Sequence, residues 1–240
     1  MNNNNHRTDA LNISDPFVFS KKTPYMQRIG DLVRSGHTQY VIGTIPPEKA
    51  GFFAAKMEST YHTHYSTLEA CRARQNGEAS ARLLFLHQPG NDLLTWVLLH
   101  HPGMVDDTSQ KWRDATDDKI ALTGYELVRR TRPGSSKPAW TWRYTEARLD
   151  MLRNAIIQSI RGHQDVLLLQ TIHSLSRSPG FAGVREQVQK LYGLVSQEWK
   201  RRRAKSEPVP EIPRHGYTRR VEDKGCRLTE LRQKLGGRKP

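Results

Sequence analysis

The period of the hydrophobic pattern changes in the middle of this chain, and that change constrains the fold more than any other feature. Between Arg82 and Thr145 apolar residues come in short runs separated by turn signals, and from Glu146 onward they recur at helical spacing. Arg82–His87 and Leu93–His100 flank Gln88-Pro-Gly-Asn-Asp92, a turn sequence that predicts a hairpin. Gly124–Thr131 and Ala139–Thr145 are a second pair of strand-like runs, joined by Arg132-Pro-Gly-Ser-Ser-Lys-Pro138. In the last run Trp140, Trp142 and Tyr144 alternate with Thr141, Arg143 and Thr145. Side chains on a strand alternate faces, so one face is aromatic and the other polar and basic.

From there to Arg203 the chain reads as helix. Thr145 is the expected cap of Glu146–Arg161, with Leu149, Leu152, Ile156 and Ile160 in one stripe. Asp165 to about Leu175 is a second helix, apolar enough at Val166–Leu169 to be expected largely buried. Val184, Val188, Leu191, Val195 and Trp199 line a third, which runs into Lys200-Arg-Arg-Arg203. Near the amino end, Pro24 opens a helix to Arg34, and His37–Ile45 is a short strand or extended segment. Pro46-Pro47 starts a further helix that runs through roughly Arg74 and stops at Asn76-Gly77. The expected fold is therefore α+β, a small antiparallel sheet with a helical carboxyl-terminal half. Residues 1–20 are expected to be a disordered polar segment, 21–204 the α+β domain, and 205–240 a basic extension.

Composition excludes several classes. No apolar stretch approaches the roughly 20 residues of a membrane-spanning helix. The amino end carries no apolar core followed by a small-residue cleavage site, so the expected compartment is the cytoplasm. Two cysteines, Cys71 and Cys226, are too few for a disulfide framework or a cysteine-based zinc site. No glycine-rich phosphate loop, Ser-His-Asp set or paired-glutamate helix is present, so neither an enzyme nor a bound cofactor is expected. His62-Thr-His64 falls inside a predicted helix, where residues two apart diverge, which argues against a shared metal. Asp106, Asp107, Asp114, Asp117 and Asp118 read as a solvated acidic loop.

The net charge is +14, which favours a polyanionic partner. From Lys200 to Pro240 there are fourteen Lys and Arg against five Asp and Glu, so most of the excess sits in this short stretch. Lys200, Arg201, Arg202, Arg203, Arg219 and Arg220 are the candidate phosphate contacts; Tyr217 among them is expected to pack on the domain, with packing on a sugar or base its competing role. A helix dipole accounts for part of the Lys200–Arg203 run. The tail lacks the apolar face of an interfacial helix, so no membrane partner is expected. Arg72, Arg74 and Arg82 surround Asn76-Gly77 and are candidates for a second basic patch, with a solvated helix end the competing reading. For base readout the candidates are Thr141, Arg143 and Thr145, because a two-stranded ribbon fits the major groove and an Arg there can bond guanine twice. Pairing of Arg143 with Glu126 is the competing role for that side chain.

Several phrases, namely Leu122-Thr-Gly-Tyr-Glu-Leu-Val-Arg129, Pro138-Ala-Trp-Thr-Trp-Arg-Tyr144, Ile160-Arg-Gly162, Ser178-Pro-Gly-Phe-Ala-Gly-Val-Arg185 and Gly216-Tyr-Thr-Arg-Arg220, together resemble a family encoded by integrative and conjugative elements and conjugative plasmids. That family includes the AcaB-type transcriptional activators, which are ribbon-helix-helix-like. The resemblance spans roughly residues 50–235 and implies a homodimeric regulator of conjugative-transfer genes that binds double-stranded DNA. RNA polymerase is a further partner such an activator would meet. A strand over Ala139–Thr145 followed by two helices matches the ribbon-helix-helix order, with Thr141, Arg143 and Thr145 as readers. Gly124–Thr131 could instead pair with that strand inside one chain, and the strand after His37 is a competing location for the ribbon. The alternative function is a DNA-processing accessory protein of conjugation or replication that binds without sequence preference.

Overall fold

The computed structural model describes residues 14–78, 80–101, 110–131, 134 and 136–236. In chain order the first half holds β1 (Phe17–Phe19), α1 (Lys22–Arg34), β2 (Gln39–Ile45), α2 (Pro47–Tyr61), α3 (Thr67–Gln75), β3 (Ala81–Leu86), β4 (Leu94–His100) and β5 (Arg113–Asp114). The second half holds β6 (Ala121–Leu122), β7 (Tyr125–Thr131), β8 (Pro138–Tyr144), α4 (Glu146–Arg161), α5 (Asp165–Ser176), α6 (Ala182–Arg202), β9 (Gly225–Arg227) and α7 (Leu228–Gly236). The protein is thus α+β, and it divides into two compact units. One comprises Met1–Tyr25, Ser35–Arg113 and Glu222–Pro240, the other Met26–Arg34 and Asp114–Val221. No helix among the described residues is long and apolar enough to cross a membrane.

The first unit is built on a mixed sheet in the order β5-β2-β4-β3-β1-β9. The hairpin expected around Gln88–Asp92 is β3–β4, with Leu86 opposite Thr95 and Gly90 at a φ of 87° in the turn. Only a residue without a Cβ takes that conformation freely, which is why the turn carries glycine there. Helices α2 and α7 bury Ala50, Ala54, Leu228 and Leu231 against Val18, Phe85 and Leu94. The Phe53 ring packs beside the Trp96 indole, 4.7 Å between centroids.

Both chain ends depart from expectation. Phe17-Val-Phe19 is a strand between β3 and β9 in place of part of a polar leader, because Val18 and Phe19 find a core to fill. Residues 1–13 lie outside the described residues. Of the expected extension 205–240, Gly225–Arg227 pairs antiparallel with β1 and Leu228–Gly236 is a helix. Asp15 fastens them, its carboxylate accepting from Thr229 N and Oγ1 at 2.9 Å each. Arg232 donates to Pro47 O at 2.9 Å, so a basic residue of the tail is used for packing.

The expected single helix over residues 46–74 is two. His62 takes a left-handed φ of 50° at the end of α2, and Ser66 starts α3 with a reciprocal cap to Glu69. Glu58 supports the break, accepting from Thr63 Oγ1 at 2.7 Å and from His64 N at 2.8 Å. Two local capping devices outweigh the helical propensity of the intervening residues.

In the second unit β6, β7 and β8 form an antiparallel sheet, with Tyr125 opposite Tyr144 and Thr131 opposite Pro138. Trp142 is the central side chain, 1% exposed, its indole N–H donating to Met26 O at 2.9 Å. Helix α4 begins at the expected cap, Thr145 Oγ1 accepting from Arg148 N at 3.4 Å. Helix α5 departs from expectation: Leu168 is buried, whereas Val166, Leu167 and Leu169 are 69%, 49% and 52% exposed.

Candidate nucleic-acid interface

Helix α6 organises the basic residues of the second unit, which carries 22 Lys and Arg against 12 Asp and Glu, a net +10, compared with +4 for the first. It is 21 residues long, about 31 Å at 1.5 Å per residue, and buries Val184, Val188, Leu191, Val195 and Trp199. After Arg203 the chain turns back along it. Trp199 Nε1 donates to Glu207 O near one end, and Arg185 Nε donates to His215 O near the other, both at 3.3 Å. Exposed cations therefore stand at both ends of this rod, while Arg129, Arg153 and Lys190 are exposed elsewhere in the unit.

At the carboxyl end, Lys200, Arg201 and Arg202 fill the last turn, where the helix dipole favours cations. Beneath them lies Glu198, 6% exposed. It accepts from Arg161 Nε at 2.8 Å, with Arg202 Nε at 3.6 Å and an Arg201 nitrogen at 3.9 Å. The hydrogen bond from Arg161 comes first among the causes that hold this carboxyl below its usual range, ahead of the coulombic pull of Arg161, Arg201 and Arg202. Three guanidinium groups share one carboxylate, and Lys200 and Lys205 have no side-chain partner among the described residues. This end keeps a positive surplus.

Arg203, expected among the phosphate contacts, is spent inside the fold. Its side chain is 2% exposed and bonds Asp165, Glu207 at 3.0 Å and Ile160 O at 3.2 Å, with the guanidinium over the Trp199 ring. Four partners leave no donor face for a polyanion.

At the amino end, residues 214–221 are strapped across the start of α6. His215 is buried with Nε2 2.9 Å from Ser178 O, Thr218 N donates to Gly180 O at 3.1 Å, and Gln27 Nε2 donates to Arg219 O at 2.8 Å. A Cβ on Gly180 would stand 2.0 Å from Gly216 O, so this crossing admits only glycine. Anchored on both sides, Tyr217 is 72% exposed, and the Arg185 guanidinium lies 3.4 Å from its ring centroid. Arg214 and Arg219 are exposed with no side-chain partner among the described residues, whereas Arg220 pairs with Asp31. The phrases 138–144, 178–185 and 216–220 meet here although dozens of residues separate them.

The β8 face is used differently. Arg143 Nε donates to Glu126 Oε1 at 2.6 Å, directly across the strand pair, and Lys119 joins the same carboxylate at 3.4 Å. Thr141 Oγ1 accepts from Gly183 N at 3.1 Å, and Thr145 is the α4 cap. The strand pairs with β7 of its own chain along one edge. On the other edge Gln187 accepts from Tyr144 N at 2.7 Å and donates to Tyr144 O at 3.2 Å. A side chain of α6 thus occupies hydrogen-bonding positions that a ribbon between two chains would need.

Arg72 and Arg74 belong to the first unit. Arg72 is exposed, while Arg74 donates to Ala70 O at 3.1 Å and lies 2.9 Å from His101 Nε2. Burial first, and Arg74 second, push the His101 pKa down. His62 stacks on Tyr65 and His64 pairs with Glu58, so the two histidines diverge. No cluster of three metal-binding side chains stands among the described residues. Asp106 and Asp107 lie outside the described residues.

Arg214 belongs to the basic tail to which the charge excess pointed, whereas Arg161 and Arg185, which complete the two basic ends, join through tertiary packing that the sequence does not announce. Comparisons with protein-family models, curated proteins and solved structures give no match to this chain.

Proposed function

We propose that this chain is a DNA-binding protein of a mobile genetic element, a homodimeric transcriptional regulator of conjugative-transfer genes that works in the cytoplasm. The observation that carries DNA binding is the surplus of unpartnered cations at the two ends of α6, with the Arg185–Tyr217 stack between Arg214 and Arg219. The length of α6, about 31 Å, is close to one turn of duplex, roughly 34 Å, so both ends can meet phosphates one turn apart. Phosphate contacts then come from Lys200, Arg201, Arg202 and Arg219, with Arg220 joining if DNA displaces Asp31. Sequence discrimination, by a ribbon-helix-helix-like element or otherwise, is the finer part of this reading, and activation through RNA polymerase is finer still.

A second reading has its own observation. The Glu126–Arg143 pair and the Gln187 bonds to β8 tie up the expected base readers, which favours an accessory protein that binds the DNA backbone without sequence preference. One titration separates the two. Full-length protein is measured by fluorescence anisotropy against duplex from the element's own promoters, scrambled duplex and single strand. The regulator reading expects promoter duplex to bind at least about a thousandfold tighter than scrambled duplex at physiological salt. Equal binding to both duplexes would establish the accessory role, and no binding to any of the three would remove DNA binding itself.

A further inference from the structure

The exposed apolar residues of α5 remain unexplained by DNA binding. Val166, Leu167 and Leu169, with Met151 of α4 at 55% exposure, present on the order of 400 Å² of apolar surface, the size at which a patch marks an interaction site. A groove of about 480 Å³ runs between α4 and α5. None of its lining residues is charged, and α5 from Val166 to Ser176 has no Asp, Glu, Lys or Arg, although charged residues make up 26% of the chain.

We infer that this face is the interface between two copies of the chain. Three observations choose that occupant. First, a polyanion has no cation to hold here, so DNA is not it. Second, two copies of a chain with net charge +14 repel wherever their basic surfaces meet, and a face without charge is where they meet with least repulsion. Third, the patch is complementary to itself. At helical spacing Val166, Leu169 and His173 form a ridge along α5, while Leu167, Gln170 and Ser174 of the same helix line the groove beside it. A two-fold axis near α5 sets the ridge of each copy into the groove of the other, the arrangement in which one patch serves both partners. Two helices from each copy then form a four-helix layer packed by ridges and grooves. This route to a dimer leaves β8 paired within its own chain.

The inference names the contact surface of the proposed homodimer but does not need DNA binding, so it is tested without DNA. Sedimentation equilibrium of the full-length chain over a wide dilution series is expected to show a reversible dimer. Leu169→Asp and, separately, Val166→Lys are expected to sediment as monomers with unchanged circular dichroism and the thermal midpoint of wild type diluted to monomer, since both positions face solvent in the free chain. Arg143→Ala is expected to leave the dimer intact. A wild type that is monomeric throughout would overturn the inference, as would a dimer that survives both substitutions. A monomer that floats with neutral or anionic phospholipid vesicles, and loses them in Leu169→Asp, would overturn it by assigning the face to a membrane surface.

Discussion

Arg143 on β8 and Arg201 at the end of α6 carry the same guanidinium, yet their surroundings give them different work. Arg143 is 34% exposed and holds the Glu126 carboxylate directly across a strand pair. Arg201 is 67% exposed, 3.9 Å from a carboxylate that Arg161 already engages more closely. A charge can serve an outside partner only to the extent that its own fold has not neutralised it. Position in the sequence gives no warning of that difference, because neutralisation comes from residues brought in by tertiary packing.

The largest effect expected from this contrast is on stability. Arg203→Ala removes the buried guanidinium that joins Asp165, Glu207 and Ile160 O, and should cost about 2–4 kcal/mol in urea unfolding. A loss comparable to that of an ordinary surface substitution would mean that Arg203 is free, as the sequence alone suggests. Next comes affinity. Lys200→Ala, Arg201→Ala and Arg219→Ala combined should reduce the slope of log K against log salt by roughly 2–3, since each lost phosphate contact removes about 0.9. Tyr217→Ala should weaken binding to single strand by about 1–3 kcal/mol if bases stack on the Arg185–Tyr217 pair, with unfolding unchanged.

Acid stability sharpens the contrast further. The pKa of Glu198 is lowered in the folded state, so its contribution is present above the ordinary carboxylate pKa and is lost as pH falls through the folded value. Glu198→Gln should therefore lower the Tm near neutral pH and flatten the acid limb of Tm against pH; an unchanged acid limb would show that Arg161 and its neighbours do not stabilise the carboxylate. The smallest effect belongs to Arg143→Ala, a cross-strand pair worth about 0.2–1 kcal/mol of stability and little in DNA affinity.

The features legible in the sequence were those set by near neighbours. The β3–β4 hairpin follows from Pro-Gly-Asn-Asp between two apolar runs, and α4 from Thr145 and its apolar stripe. The break at His62 was also locally encoded, in Ser66 and Glu69, but a run of helix-forming residues masked it. What escaped depended on distant partners. Phe17–Phe19 is a strand because two segments distant in sequence, 81–86 and 225–227, flank and pair with it. Val166–Leu169 reads as buried by composition, yet which side chains are covered depends on how α5 packs against α4 and α6. Of the site, the tail cations were legible as a charge excess. The burial of Arg203, the Arg185–Tyr217 stack and the occupation of the β8 edge by Gln187 join residues that no local pattern relates.

In the proposed interface DNA meets the ends of α6 and not the β8 face, and paired anisotropy titrations on one promoter duplex separate the two surfaces. The Lys200→Ala/Arg201→Ala/Arg219→Ala variant is expected to lose on the order of a hundredfold in affinity at physiological salt while Arg143→Ala stays within about threefold of wild type. The opposite ranking, with Arg143→Ala the more damaging and the α6 variant near wild type, would contradict it and return β8 to the interface.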